Sequence, residues 1–152
     1  MKLILLNEIN HPSTPTEQQF QTWIDQTVKV IHEKIPVTCN EICISIIDKE
    51  TSAQLNEIYR QKTGPTNVLS FVYEPIPGIV QDSLGDLAIC ATLVEQEALL
   101  NNTDLAAHWA HLTIHGLLHL AGYDHIIEND AIIMEALEIK ILKQLGFKDP
   151  YL

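Results

Sequence analysis

The sequence predicts a single α/β domain of the α+β type, with about four strands in a mixed sheet and about five helices packed with it. A metal site on a long central helix, in the manner of zincins, completes the expectation. Three observations carry it. Short runs rich in branched apolar residues, KLILLN (2–7), EICISIID (41–48), NVLSFVY (67–73) and LGDLAICA (84–91), read as strands. The stretches between and after them space apolar residues three and four apart, the period of an amphipathic helix. Finally, 152 residues, 46% apolar and 19% charged, suit one domain (1–152) with a sizeable core, and no repeat, low-complexity tract or linker interrupts them.

The elements follow in order. After the strand 2–7, Thr14-Pro15-Thr16-Glu17 marks a helix start, with proline in the first turn and acid near the positive end of the dipole. Phe20, Trp23, Ile24, Thr27, Val28 and Ile31 give the helix 16–34 its apolar face, and Pro36 stops it. In 41–48, Ile42, Ile44 and Ile46 alternate onto one face of a strand. Lys49–Gln61 carries Ala53, Leu55, Ile58 and Tyr59 at helical spacing and ends at Lys62-Thr63-Gly64-Pro65. The strand 67–73 and the strand 84–91 flank a Pro- and Gly-containing loop, 74–83, and are expected to be neighbours. From Thr92 the chain is helical: 92–101, then 104–120 after the cap signal Asn101-Asn102-Thr103-Asp104, then 126–145 closed by Gly146. Trp23 and Trp109 fall on apolar faces and read as core.

Charge and cysteine usage narrow the function. Nine Lys+Arg against twenty Asp+Glu give a formal net charge of −11. Broad duplex binding needs a basic face that releases counterions, so no DNA partner is expected, and any nucleic acid must be met by a small basic patch or a metal ion. No apolar stretch reaches membrane-spanning length, and the run LILL is too short for a leader, so neither a membrane partner nor export is expected. Cys39, Cys43 and Cys90 form no disulfide framework; they read as buried, inert thiols in a cytoplasmic protein.

Chemistry concentrates in HGLLHLAGYDH, 115–125. On a helix, His115 and His119 stand one turn apart on the same face, roughly 5–6 Å between Cβ atoms. Gly122 lets the chain leave the helix with positive φ, and Tyr123-Asp124 bring His125 round to the same point. Three imidazoles with an open fourth position describe a catalytic zinc site, one ion per chain, although nickel or another divalent ion suits the same donors. His108 and His111 lie on the same stripe, as boundary residues, as hydrogen-bond partners of the ligands or as alternate ligands; His11 and His32 read as surface residues without company. Asp86 and Asp124 are candidate partners for a ligand imidazole.

The spacing matches metzincin peptidases except at one position. Those enzymes carry a glutamate general base after the first histidine, where this chain has Gly116. Peptide hydrolysis therefore loses its base. With LNEIYRQK (55–62), TNVLSF (66–71), LGDLAI (84–89), HLTIHGLLHLAGYDH (111–125) and then Met134-Glu135, the chain resembles the YbeY family, bacterial metal-dependent endoribonucleases linked to ribosomal RNA maturation. The family's second stretch usually has aspartate where this sequence has Asn67.

The resemblance implies zinc on His115, His119 and His125, a functional arginine at Arg60 and a basic contact at Lys62. It implies single-stranded RNA, ribosomal RNA and the ribosome as partners, with 16S rRNA 3′-end maturation and ribosome quality control as the setting. Arg60 is the only arginine in the sequence, and its planar fork suits a phosphate. Ser70, in the NVLSF strand, is a candidate hydrogen-bond donor to substrate. Two other readings compete: a zinc hydrolase of another substrate class, and a ribosome-assembly factor whose zinc is structural.

Overall fold

The computed structural model describes residues 1–152. Strands β1 (Lys2–Leu6), β2 (Glu41–Ile47), β3 (Val68–Phe71) and β4 (Ser83–Cys90) form one sheet in the order β1-β2-β4-β3. β1 runs parallel to β2 and β2 to β4, while β3 is antiparallel to β4, so the sheet is mixed. Helices α1 (Glu17–Ile31), α2 (Lys49–Arg60), α3 (Ala91–Leu100), α4 (Leu105–Leu120) and α5 (Glu128–Gln144) complete the expected four strands and five helices.

Register fixes which side chains share a face. Leu3 stands beside Ile42, and Ile44 beside Leu87, which stands beside Ser70. The apolar members of this face, with Ile46 and Ile89, are at most 5% exposed and join one core with Phe20, Trp23 and Ile24 of α1 and Trp109, Ile114, Leu117 and Leu118 of α4. Strand side chains alternate, so Leu69 and Phe71 point to the opposite face, where Phe71 meets Tyr59 of α2 with ring centroids 5.2 Å apart. The sheet therefore lies between α2 and the rest of the helices. Nine of the sixteen residues of α4 are buried, the signature of a helix packed on several sides.

Helix ends show where local signals acted. Thr16 is the N-cap of α1 and forms a reciprocal capping box with Gln19: Gln19 N–H donates to Thr16 Oγ1 at 3.1 Å and Thr16 N–H to Gln19 Oε1 at 2.9 Å. Pro15 thus precedes the helix, a correction to its expected place in the first turn. The helix 16–34 also divides, since α1 ends at Ile31 and a 3-10 turn covers His32–Lys34. β3 is shorter than 67–73, because pairing with β4 ends at Phe71↔Asp86 and Val72 and Tyr73 are left exposed. α5 starts two residues late, with Ile126 and Ile127 exposed ahead of it. No helix is long and apolar enough to cross a membrane.

α4 and α5 end the same way. Gly122 N–H donates to His119 O at 3.0 Å and Tyr123 N–H to Leu118 O at 3.0 Å; Gly146 and Phe147 repeat the pair on Lys143 O and Leu142 O. Both are Schellman motifs, and Gly122 holds the positive φ, +99°, that the motif demands.

Candidate metal centre and its cleft

His115 and His119 occupy the last two turns of α4, and His125 stands on the bend beyond the Schellman turn. The structure brings the three together: one ligand atom from each lies within 4.8 Å of the others, and no fourth His, Cys, Asp or Glu joins the group. His115 Nε2 and His119 Nε2 are 3.2 Å apart. A tetrahedral ion with bonds of ~2.0–2.1 Å spaces its ligand atoms by roughly 3.4 Å.

The hydrogen bonds behind the rings decide what these nitrogens offer. His119 Nδ1 is 3.1 Å from Tyr123 O, a carbonyl that only accepts, so Nδ1 carries the proton and Nε2 of the neutral ring is bare. His115 Nδ1 is 3.3 Å from Glu138 Oε1. Glu138 is 1% exposed; burial pushes its carboxyl up, but hydrogen bonds from His111 and His115 outweigh that and hold it at about 2, so it is ionised and accepts only. His115 Nε2 is therefore bare as well. Two lone pairs then face each other at 3.2 Å with no proton between them. Burial, then the neighbouring His115 and His125, lower the pKa of His119 and oppose resolving the contact by protonation. A cation accepting both lone pairs resolves it, so the donor set fits a divalent metal held by His115, His119 and His125.

Glu138 was missed by sequence reasoning. It sits in the buried stripe of α5 with Met134, Ile141 and Leu142, and a carboxylate on an apolar stripe was the available signal. Its other partners are His111 Nε2 at 2.6 Å and the hydroxyl of Tyr151, 3.1 Å from Oε1 and 3.0 Å from Oε2. The two aspartates considered for this role lie elsewhere. Asp86 accepts from Tyr73 OH at 2.7 Å, because its position in β4 faces away from α4, and Asp124 accepts from the backbone N–H of His125 at 2.7 Å. His11 is not without company: its Nε2 is 2.6 Å from Glu95 Oε1, which the α3 packing supplies. Cys39 and Cys43 are half-buried rather than buried, with burial raising both thiols, and Cys90 is fully buried.

The histidines line one side of a cleft of about 670 Å³ whose other residues include Arg60, Lys62, Asn67, Ser70 and Tyr123. Arg60 reaches across from α2: its guanidinium donates to Ser70 O at 2.7 Å, leaving other donors of the fork free. Ser70 Oγ donates to Gly116 O at 3.2 Å, tying β3 to α4. Lys62, just past α2, is exposed at the same cleft. Asn67 Nδ2 donates to both oxygens of Glu97, at 3.1 and 3.2 Å, and its Oδ1 accepts from Val68 N–H at 2.7 Å. Glu97 also receives His108 Nε2 at 2.9 Å, and that bond, with the one from Asn67, lowers its pKa. An aspartate at 67 would set a second carboxylate against Glu97.

A family model described as endoribonuclease YbeY matches residues 6–146. The chain belongs to the YbeY endoribonuclease family. A solved structure, TM1509 from Thermotoga maritima, aligns with a TM-score of 0.60 at 19% identity, covering 95% of this chain and 91% of that one, and so shares the fold.

This YbeY chain also shows why a peptidase glutamate is foreign to its α4. Gly116 packs on the sheet: a Cβ there would stand 2.8 Å from Leu87 Cδ2, 3.1 Å from Leu87 Cδ1 and 3.3 Å from Val68 Cγ2. A longer side chain would enter the core rather than the cleft. The position after the first histidine is closed, not merely vacated.

Proposed function

We propose that this chain is a zinc-dependent endoribonuclease that cuts single-stranded RNA in ribosomal RNA processing, maturing the 16S 3′ end and serving ribosome quality control in the cytoplasm. The observation that carries the reading is the sharing of one cleft by three clustered imidazoles, two of them with bare nitrogens, and the chain's only arginine. Endoribonuclease activity comes with the family; the metal, the strand preference and the ribosomal partner are our inference.

Roles follow from placement. His115, His119 and His125 hold the ion, which when bound polarises a phosphate oxygen or an attacking oxygen. Arg60, fixed by Ser70 O, presents its remaining donors to a phosphate and offsets charge developing there. Lys62 binds a neighbouring phosphate as a point charge. Ser70 is not the donor to substrate that was expected, since its proton is directed at Gly116 O; it serves substrate through the free lone pairs of its hydroxyl. A cleft whose lysine and arginine side chains are Arg60 and Lys62 alone, on a chain of charge −11, suits a flexible single strand, whose phosphate can reach the ion without a broad basic surface.

The test is a metal analysis with a cleavage assay on the parent chain and two variants. His115→Ala is expected to lose bound zinc and RNA cleavage together. Arg60→Ala is expected to keep its zinc and lose cleavage by roughly 100-fold. Full cleavage by either variant refutes the role assigned to that residue.

A further inference from the structure

We propose that Tyr151, in the segment that follows α5, is a positioning residue of the metal centre, acting on His115 through the buried carboxylate of Glu138. The inference rests on His115 being a metal ligand. It adds a residue that lies outside the 6–146 stretch shared with the family model.

The argument starts from what a buried carboxylate requires. Glu138 is 1% exposed, and an ionised carboxylate has two oxygens that must be satisfied once water is excluded. Oε1 is shared by His111 Nε2 at 2.6 Å, Tyr151 OH at 3.1 Å and His115 Nδ1 at 3.3 Å. Oε2 has one partner, Tyr151 OH at 3.0 Å. The phenol hydroxyl thus straddles both oxygens and is the sole donor to Oε2, while lying 3.3 Å from His111 Nε2. Without it, Oε2 is left bare. The carboxylate then gains by turning toward water or toward His111, and the longest of its bonds, the one to His115, is the first to be lost.

That bond is the one that matters to the metal. It fixes the proton on His115 Nδ1, orients the ring and leaves Nε2 facing His119 Nε2 at 3.2 Å. Tyr151 is suited to this work by a split environment. The residue is 47% exposed, yet its hydroxyl reaches a fully enclosed group and its ring stands edge-on to His111, centroids 5.5 Å apart at 83°. The ring packs against His111 while the hydroxyl completes the hydrogen bonding of Glu138. Burial and the negative charge of Glu138 raise the phenol's pKa, which keeps it a donor.

Tyr151→Phe removes the hydroxyl and keeps the ring. The measurement is the zinc affinity of the metal-free full chain by chelator competition at one fixed pH, alongside its melting temperature. Weakening of zinc binding by roughly 10-fold is expected. The cobalt-substituted protein should show a shifted visible absorption band. In a Glu138→Gln background, or Glu138→Asp if the amide variant does not fold, the same substitution should weaken binding no further, because the two residues act in one chain.

Parent-like affinity in Tyr151→Phe overturns the proposal, including when only the melting temperature falls, since that describes packing alone. Equal further loss in the Glu138 background also overturns it, by removing the route through the carboxylate. If the unsubstituted chain binds no zinc, cobalt or nickel, the metal reading falls with it. Parent binding that is tight but indifferent to Tyr151 sinks this inference and leaves the metal reading intact.

Discussion

Asn67 shows how one atom's identity is read from its surroundings. Its amide nitrogen faces Glu97 and its oxygen faces the Val68 N–H, so each end of the side chain meets its complement. Asn67→Asp turns the donor into a carboxylate beside a carboxylate, and is expected to cost about 1–2 kcal/mol at neutral pH in urea unfolding. Adding Glu97→Gln should recover most of it, because the amide can then donate. At this scale the sequence told only part of the story. The cluster of three histidines was legible because they are alike and fall within one continuous stretch, 115–125. Glu138 was not, because its bond to His115 spans 23 positions and exists only when α5 packs on α4. His11 and Glu95 escaped for the same reason, being 84 positions apart.

Among the elements, α4 is one that depends on close approach. Gly116 allows the helix to touch Leu87 and Val68, and Gly116→Ala is expected to destabilise the fold by roughly 1–3 kcal/mol through overpacking, measured by denaturant midpoint. Gly122→Ala tests a different cause. Nothing lies within 4 Å of a Cβ there, so its cost of about 1 kcal/mol comes from the positive φ alone. Because Tyr123 O receives His119 Nδ1, loosening that turn should also weaken metal affinity, whereas conservative exposed substitutions on α5 should not. The elements themselves were legible wherever period and punctuation agreed: Ile42, Ile44 and Ile46 marked β2 cleanly. Where two signals competed, the local chemistry won. Pro15 could open a helix, but Thr16 with Gln19 satisfies the free N–H groups better and takes the cap. Val72 and Tyr73 have strand propensity, yet pairing with β4 stops at Phe71↔Asp86 although β4 itself runs on to Ser83.

Charge sets the expectations for the whole molecule. With a net charge of −11 and Arg60 and Lys62 as the cleft's basic side chains, RNA binding should release few counterions. Two phosphate contacts on a single strand predict a log–log salt slope near roughly −1.4, to be read from binding titrations with the Arg60 and Lys62 variants each shallower. Acid should unfold the metal-free chain. Glu138 is held at about 2 against an ordinary 4.5, and Glu97 is lowered too, so both favour the folded state above the ordinary value and lose that contribution as pH falls toward the folded one. His119, kept neutral by burial, adds in the same direction below 6.5. Melting temperature is thus expected to drop steadily from about pH 6 downward, and Glu138→Gln should flatten the lower part of that curve.

Two of the imidazoles ride on a helix fixed by the core, while the third stands on an exposed bend between α4 and α5. An ion gripping all of them would staple that bend to the helix. Trypsin has no site between Ala121 and Glu128, so the sensitive probe is a protease that cuts after aromatic or aliphatic residues. It should nick the chain near Tyr123 or Ile126 readily when a chelator is present, and slowly once zinc is restored.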